Sequence, residues 1–225
     1  MQSKLLPNFN EMVWEKLWTA TGETLYMTFV SVIATFILGT ILGLLLFLTS
    51  KGNVWENKIV NRIVAGFVNV FRSIPFIILI ILLLPLTTAI LKTMLGANAA
   101  LPALILGSAP FYARMVELAL REINKGVIEA AQSMGATNGQ IIFKVLLPES
   151  MPALVSGITV TAIALVGYTA MAGVIGAGGL GNLAFMEGFQ RNHVDVTIVS
   201  TIIILIIVFI IQAIGDFVTN RIDKR

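Results

Sequence analysis

Residues 24–50 read TLYMTFVSVIATFILGTILGLLLFLTS, 27 residues without a charged side chain. At about 1.5 Å per helical residue this run exceeds the ~30 Å hydrocarbon thickness of a bilayer, so it can span lipid with some tilt. The whole chain has the same character. Of its 225 residues, 57% are hydrophobic and 12% charged, and the mean hydropathy is +0.92. A soluble domain would carry about 25% charged residues. The chain is therefore read as an all-α membrane protein.

Four further spans follow. Residues 73–91 are uncharged, and their helix is expected to begin near Arg62, leaving Arg72 inside the inner end of the span. A third span is expected over about residues 99–120, with a kink near Pro110. Residues 150–186 hold 37 uncharged positions, enough for one span and a glycine-rich re-entrant or surface segment. Residues 196–215 make the fifth span. Nine Lys and Arg then fall on one side and four on the other, with Arg72 and Arg114 near the membrane. The positive-inside bias places the N-terminus outside and the C-terminus in the cytoplasm.

Residues 1–23 carry Glu11, Glu15 and Glu23 and lack a continuous apolar core, so no cleavable signal peptide is read there. Phe9, Val13 and Leu17 recur at helical spacing beside Trp14 and Trp18, as in an interfacial helix, with a loosely ordered leader as the alternative.

Several function classes are excluded. Cysteine is absent, and the fifteen Lys and Arg are scattered between apolar runs, which removes thiol chemistry and a nucleic-acid face. His193, beside Asp195, reads as an exposed outer-loop residue, and no paired carboxylates or nucleophile-base sets lie within the spans, against an intramembrane enzyme. Gly176, Gly178 and Gly181 spell G-x-G-x-x-G, but no strand precedes them, so a sharp turn or close packing explains them better than a nucleotide. Gly39 and Gly43 form a G-x-x-x-G whose partner helix the sequence leaves open.

The longest inner loop, residues 121–150, reads REINKGVIEAAQSMGATNGQIIFKVLLPES. Val127, Ile128, Ala131 and Met134 form one apolar stripe ending at Gly135, a helix stop. Thr137 and Gln140 have capping-box spacing ahead of Ile141, Ile142, Val145 and Leu146, and Pro148 is expected to end that second helix. An apolar stripe outside the bilayer must be covered by the chain's own spans, by headgroups or by a partner. Just before the loop, Arg114, Glu117 and Arg121 have i, i+3 and i, i+4 spacings that favour ion pairing.

Glu129-Ala130-Ala131, then Gly135, then Val145 and Leu147-Pro148 resembles the EAA loop of ABC importer permeases, which commonly have Ile where this chain has Val145. The resemblance implies a type I importer permease fold, with residues 24–219 as the five-span permease domain, 121–150 as its coupling loop and 220–225 as a cytoplasmic tail. It also implies that Val127, Ile128, Glu129, Ala130, Ala131, Met134, Gly135, Leu147 and Pro148 form the ATPase-docking loop. The implied partners are an ABC ATPase dimer, an external lipid-anchored binding protein and a second copy of this chain or a sister permease. ATP-Mg is then bound by the ATPase and no cofactor by this chain, which has no Walker A pattern.

FRSIPFIIL (71–79), APFYARMVE (109–117), KVLLPE (144–149) and LVGYTAMAG with GAGGLG are together similar to the methionine-uptake permeases of bacterial inner membranes. This makes methionine the leading solute, with another small amino acid or an osmolyte as the alternative. A stand-alone secondary transporter is the rival class, but it would show inverted repeats and an intramembrane ionisable coupling residue. Tyr168, Met171, Ala172 and Gly173 are expected to line the pathway, with Met171 either an outer gate or packed within the subunit. Arg72, with Pro75, is either snorkelling or structural near the inner face.

Overall fold

The computed structural model describes residues 11–223, with side chains from Val13 onward. Every regular element among them is helical. The long helices are α1 (Glu11–Thr49), α4 (Ala97–Arg121), α7 (Leu147–Ala172) and α9 (Val194–Ile222). The shorter ones are α2 (Lys58–Ser73), α3 (Phe76–Leu91), α5 (Lys125–Ser133), α6 (Asn138–Ile141) and α8 (Gly179–Leu183). Four helical stretches are long and apolar enough to cross a membrane, or five if the bent pair α2–α3 counts as one.

α1 joins the expected interfacial helix to the first span. Its 39 residues run past residues 23 and 24 without a break, and Phe9 lies outside the described residues. The cause is visible in the side chains. Val13, Leu17 and Ala20 turn inward onto a cluster with Leu180, Leu183 and Val196, so tertiary packing continues the helix beyond the apolar run. Trp14 and Trp18 face outward. At ~1.5 Å per residue the helix is about 58 Å long, roughly twice the hydrocarbon thickness of a bilayer.

Gly39 and Gly43 lie against α4 of the same chain. A Cβ on Gly39 would sit 2.6 Å from Tyr112 Cδ1, and one on Gly43 would sit 2.6 Å from the Ala113 carbonyl oxygen. The absent side chains let the two backbones approach. Buried polar contacts fix the register: Thr35 Oγ1 and Ser108 Oγ lie 2.6 Å apart, and the Tyr112 hydroxyl donates to the Leu154 carbonyl at 3.2 Å.

The second span departs from expectation. No single helix runs from near Arg62 to Leu91, because α2 and α3 meet at 112°. Pro75 has no N–H and disfavours helical geometry at the residue before it, and Ile74 is extended at φ −84° and ψ 123°. Arg72 consequently lies in the last turn of α2 and is exposed, with no ion-pair partner among the described residues.

Pro148 does not end a helix. α6 passes through a π-helical turn, Ile142–Leu146, directly into α7, with Pro148 in the first turn of α7. Widening the preceding turn relieves the clash between the proline ring and the carbonyl four residues back. At its other end α7 breaks at Ile175 and Gly176, and the chain folds back through α8 and a further π-helical segment, Ala184–Gln190, before α9. This returning stretch, the re-entrant segment by its fold-back along the chain, occupies the place where a glycine-rich re-entrant or surface segment is expected. His193, expected to be exposed, is half-buried at the start of α9, with Nδ1 shielded from water.

Candidate functional site: the inner loop and the outer mouth

The inner loop is built from local bonds. Asn124 Oδ1 accepts from the Gly126 N–H at 2.8 Å and starts α5. Gly135 ends it at φ +81°, a conformation in which a side chain would be strained, and the Ala136 N–H closes the turn on the Ala131 carbonyl at 3.0 Å. The capping box then forms as its spacing requires: Thr137 Oγ1 accepts from the Gln140 N–H and Gln140 Oε1 accepts from the Thr137 N–H.

The apolar stripe divides. Ile128 and Ala131 are buried in a cluster with Leu120, Ile123, Ile141 and Leu146, which anchors the loop on the chain's own spans. Val127, Glu129, Ala130 and Met134 face outward, with Met134 82% exposed. Leu147 is half-buried and Pro148 exposed at the entry to α7, and Phe143 adds a further apolar side chain at 71% exposure. A cleft of about 320 Å³ beside this face is lined by Asn53 and Val54 of the α1–α2 loop and by Lys125, Glu129 and Gln132 of α5. Of the nine residues expected to dock a partner, Ile128 and Ala131 are buried within this chain's own cluster.

Just inside, Glu117 is buried and held from both sides, by Arg114 and by Arg121 Nη2 at 2.7 Å. Both arginines lead outward to solvent, which lets the carboxylate stay satisfied at the end of a span.

Within the helix bundle, Tyr168 of α7 stacks on Phe76 of α3 with ring centroids 4.5 Å apart and planes 8° from parallel. The pair lines a cleft of about 260 Å³ that also reaches Phe71, Arg72 and Phe111, so Arg72 and Tyr168, far apart in sequence, share one space. Ala172 and Gly173 are buried, and a Cβ on Gly173 would lie 2.5 Å from the Asn182 nitrogen. Met171 is 47% exposed.

Sequence reasoning missed the polar residues that hold the re-entrant segment. The Gly179 N–H donates to Glu23 Oε2 at 2.6 Å, and the Leu180 N–H donates to Thr24 Oγ1 at 2.9 Å. Lys16 Nζ and Arg191 Nη1 pair with Glu187 at 2.6 and 2.8 Å. The bond from Lys16 holds the Glu187 carboxyl below the usual glutamate range, against the opposing effect of its burial, with Arg191 adding to the shift. Gly176, Gly178 and Gly179 take positive φ, whereas Gly181 serves close approach, since a Cβ there would collide with the Ala170 backbone. The only signal for these contacts was the placement of Glu23 and Thr24 at the edge of the first apolar run.

The model of the "binding-protein-dependent transport system inner membrane component" family matches residues 36–225. The chain belongs to this family. Within it, the chain is similar to the "Methionine import system permease protein MetP" of Bacillus subtilis (strain 168), 67% identical over 225 residues and 100% of both chains. It is also similar to the "Probable D-methionine transport system permease protein MetI" of Pasteurella multocida (strain Pm70), 48% identical over 95% of this chain and 98% of the relative. A chain of the inward-facing MetNI methionine ABC transporter, native CY5 crystal form, superposes with a TM-score of 0.94 at 44% identity, covering 96% of this chain and 100% of that one. A solved amino acid ABC transporter shares the fold at 18% identity and a TM-score of 0.77, over 92% and 94% of the two chains.

Proposed function

We propose that this chain is the membrane permease subunit of an ATP-driven importer of methionine. Its five spans count α2–α3 as one, and its N-terminus is outside. An ABC ATPase dimer would hold ATP-Mg and dock on the exposed face of α5, an external binding protein would deliver solute to the outer mouth, and two copies of the chain would enclose the pathway in a bacterial inner membrane. The chain itself then performs no hydrolysis.

The observation that carries this reading is the outward face of α5, where Val127, Glu129, Ala130 and Met134 stand uncovered while Ile128 and Ala131 lock the same helix to the spans. A helix locked in this way transmits a push as a rigid body. Relatives named for methionine supply the solute, and the few polar side chains near Tyr168 suit a neutral zwitterion whose selection rests with the binding protein. Met171, half-exposed in the last turn of α7, would meet its counterpart in a second copy as a gate.

The test is reconstitution of the chain with its ATPase and binding protein in liposomes, followed by ATP-dependent uptake of radiolabelled L- and D-methionine. Uptake that depends on all three parts supports the reading. Uptake without the ATPase would return the chain to the secondary-transporter class, and absence of methionine uptake by the intact complex would overturn the solute.

A further inference from the structure

The re-entrant segment after α7 touches the helix bearing Met171 and the outer part of α1 at once. On the α7 side, Gly173 meets the Asn182 nitrogen and Gly181 meets the Ala170 backbone, so the segment cannot shift without moving the residues that flank Met171. On the α1 side there is little room either, since a Cβ on Gly178 would strike the Glu23 carboxylate. Leu180 and Leu183 pack on Val13, Leu17 and Ala20 of α1, and beside them two consecutive backbone N–H groups donate to Glu23 and Thr24, with the Lys16–Glu187 pair two turns further out along α1. A carboxylate accepting a backbone N–H makes a strong, directional bond, yet it can be released into water at modest cost, unlike a buried apolar contact. The cleft of about 420 Å³ beside Glu23, between α1 and the segment, gives water that access.

We propose that Glu23 and Thr24 form a latch between α1 and the re-entrant segment, and that this latch keeps the outer mouth shut until ATP drives it open. Glu23 is thus a positioning residue for the Met171 region. The inference rests on the permease reading but is measured partly without it. With the latch closed, the segment, Ala170 and α1 move together. With it open, apolar packing alone joins the segment to α1, and the mouth can part along that side.

Two readouts on the complete transporter decide this. The first is amide exchange at Gly179 and Leu180. The second is resting ATP hydrolysis without binding protein, compared with methionine carried per ATP. Glu23→Ala is expected to speed exchange at Gly179 by about tenfold or more, raise resting hydrolysis and lower methionine per ATP at equal yield of assembled complex. Glu23→Gln keeps an oxygen acceptor and is expected to restore all three towards the wild-type values, which a merely structural loss of packing would not explain. If Glu23→Ala does not assemble, Thr24→Ala removes the neighbouring bond and is held to the same readouts. Unchanged exchange in the alanine variants would overturn the latch, and faster exchange with unchanged coupling would overturn its role in the mouth. A complex that carries some solute other than methionine would leave exchange and resting hydrolysis able to decide.

Discussion

The loop bearing α5 and α6 and the returning segment after α7 are both short helical excursions from the ends of long helices, each with an apolar anchor, and they differ in the reach of their polar bonds. The loop's defining bonds are local, from Asn124 to Gly126 and between Thr137 and Gln140, and its anchor is apolar burial of Ile128 and Ala131. The returning segment is anchored by Leu180 and Leu183 on α1, and its polar bonds join residues 156 positions apart, the Gly179 and Leu180 N–H groups donating to Glu23 and Thr24, with ion pairs on Glu187 besides. Local caps with an apolar anchor make a unit that is stiff in every state, suited to relaying a movement. Long-range polar bonds beside a wet cleft make a unit that can exchange between two arrangements.

The widest separation between the two regions should come from their glycines. Gly181→Val drives a branched side chain into the Ala170 backbone and is expected to cost about 3 kcal/mol or more, lowering the unfolding temperature of the purified protein by several degrees or preventing its recovery. Gly139→Ala, on α6 with open space around its Cβ position, is expected to leave that temperature unchanged or slightly raised.

Within the loop, anchor and surface should separate cleanly. Ile128→Ala is expected to lose about 2–4 kcal/mol of stability from a buried cluster. Met134→Asp, at a residue 82% exposed, is expected to stay within about 0.5 kcal/mol of wild type and yet lose ATP-dependent uptake. Equal stability losses in the two variants would erase the distinction between positioning and docking residues.

Acid should loosen the outer segment selectively. Because the Glu187 carboxyl is held below its ordinary value in the folded protein, the stabilisation from its pairs is fully present above the unfolded value of about 4.3 and is lost as pH falls through the folded value. Amide exchange across residues 184–190 should therefore accelerate relative to that of α5 as pH drops below about 4, and Glu187→Gln should remove that pH dependence. A modest cost is expected from Gly135→Ala, where space is free but φ is +81°, a strain of about 1 kcal/mol that Asn at this position should largely relieve.

Much of the fold was legible because its signals are local. The apolar runs marked the spans, and the spacings of Thr137 with Gln140 and of Arg114, Glu117 and Arg121 specified bonds that form within one or two turns. The same locality explains what was missed. Pro75 breaks its helix at 112° while Pro85, Pro102 and Pro110 sit inside theirs, and only the surrounding packing separates these outcomes. The stripe on α5 was readable, but its division between Ile128 facing in and Met134 facing out depends on where α4 and α7 lie. Nothing in the local pattern of Glu23 pairs it with Gly179, since that bond exists only once the fold has brought α1 against the re-entrant turn.

The central claim is that the exposed face of α5 is where the ATPase engages. The chain has no cysteine, so an Ala130→Cys variant carries a single thiol on that face. Treated with a short bifunctional cross-linker in the assembled complex, this variant should link to the ATPase subunit, and the link should stop ATP-dependent methionine uptake. A thiol that stays unlinked and freely reactive, with uptake unaffected by the reagent, would contradict the assignment.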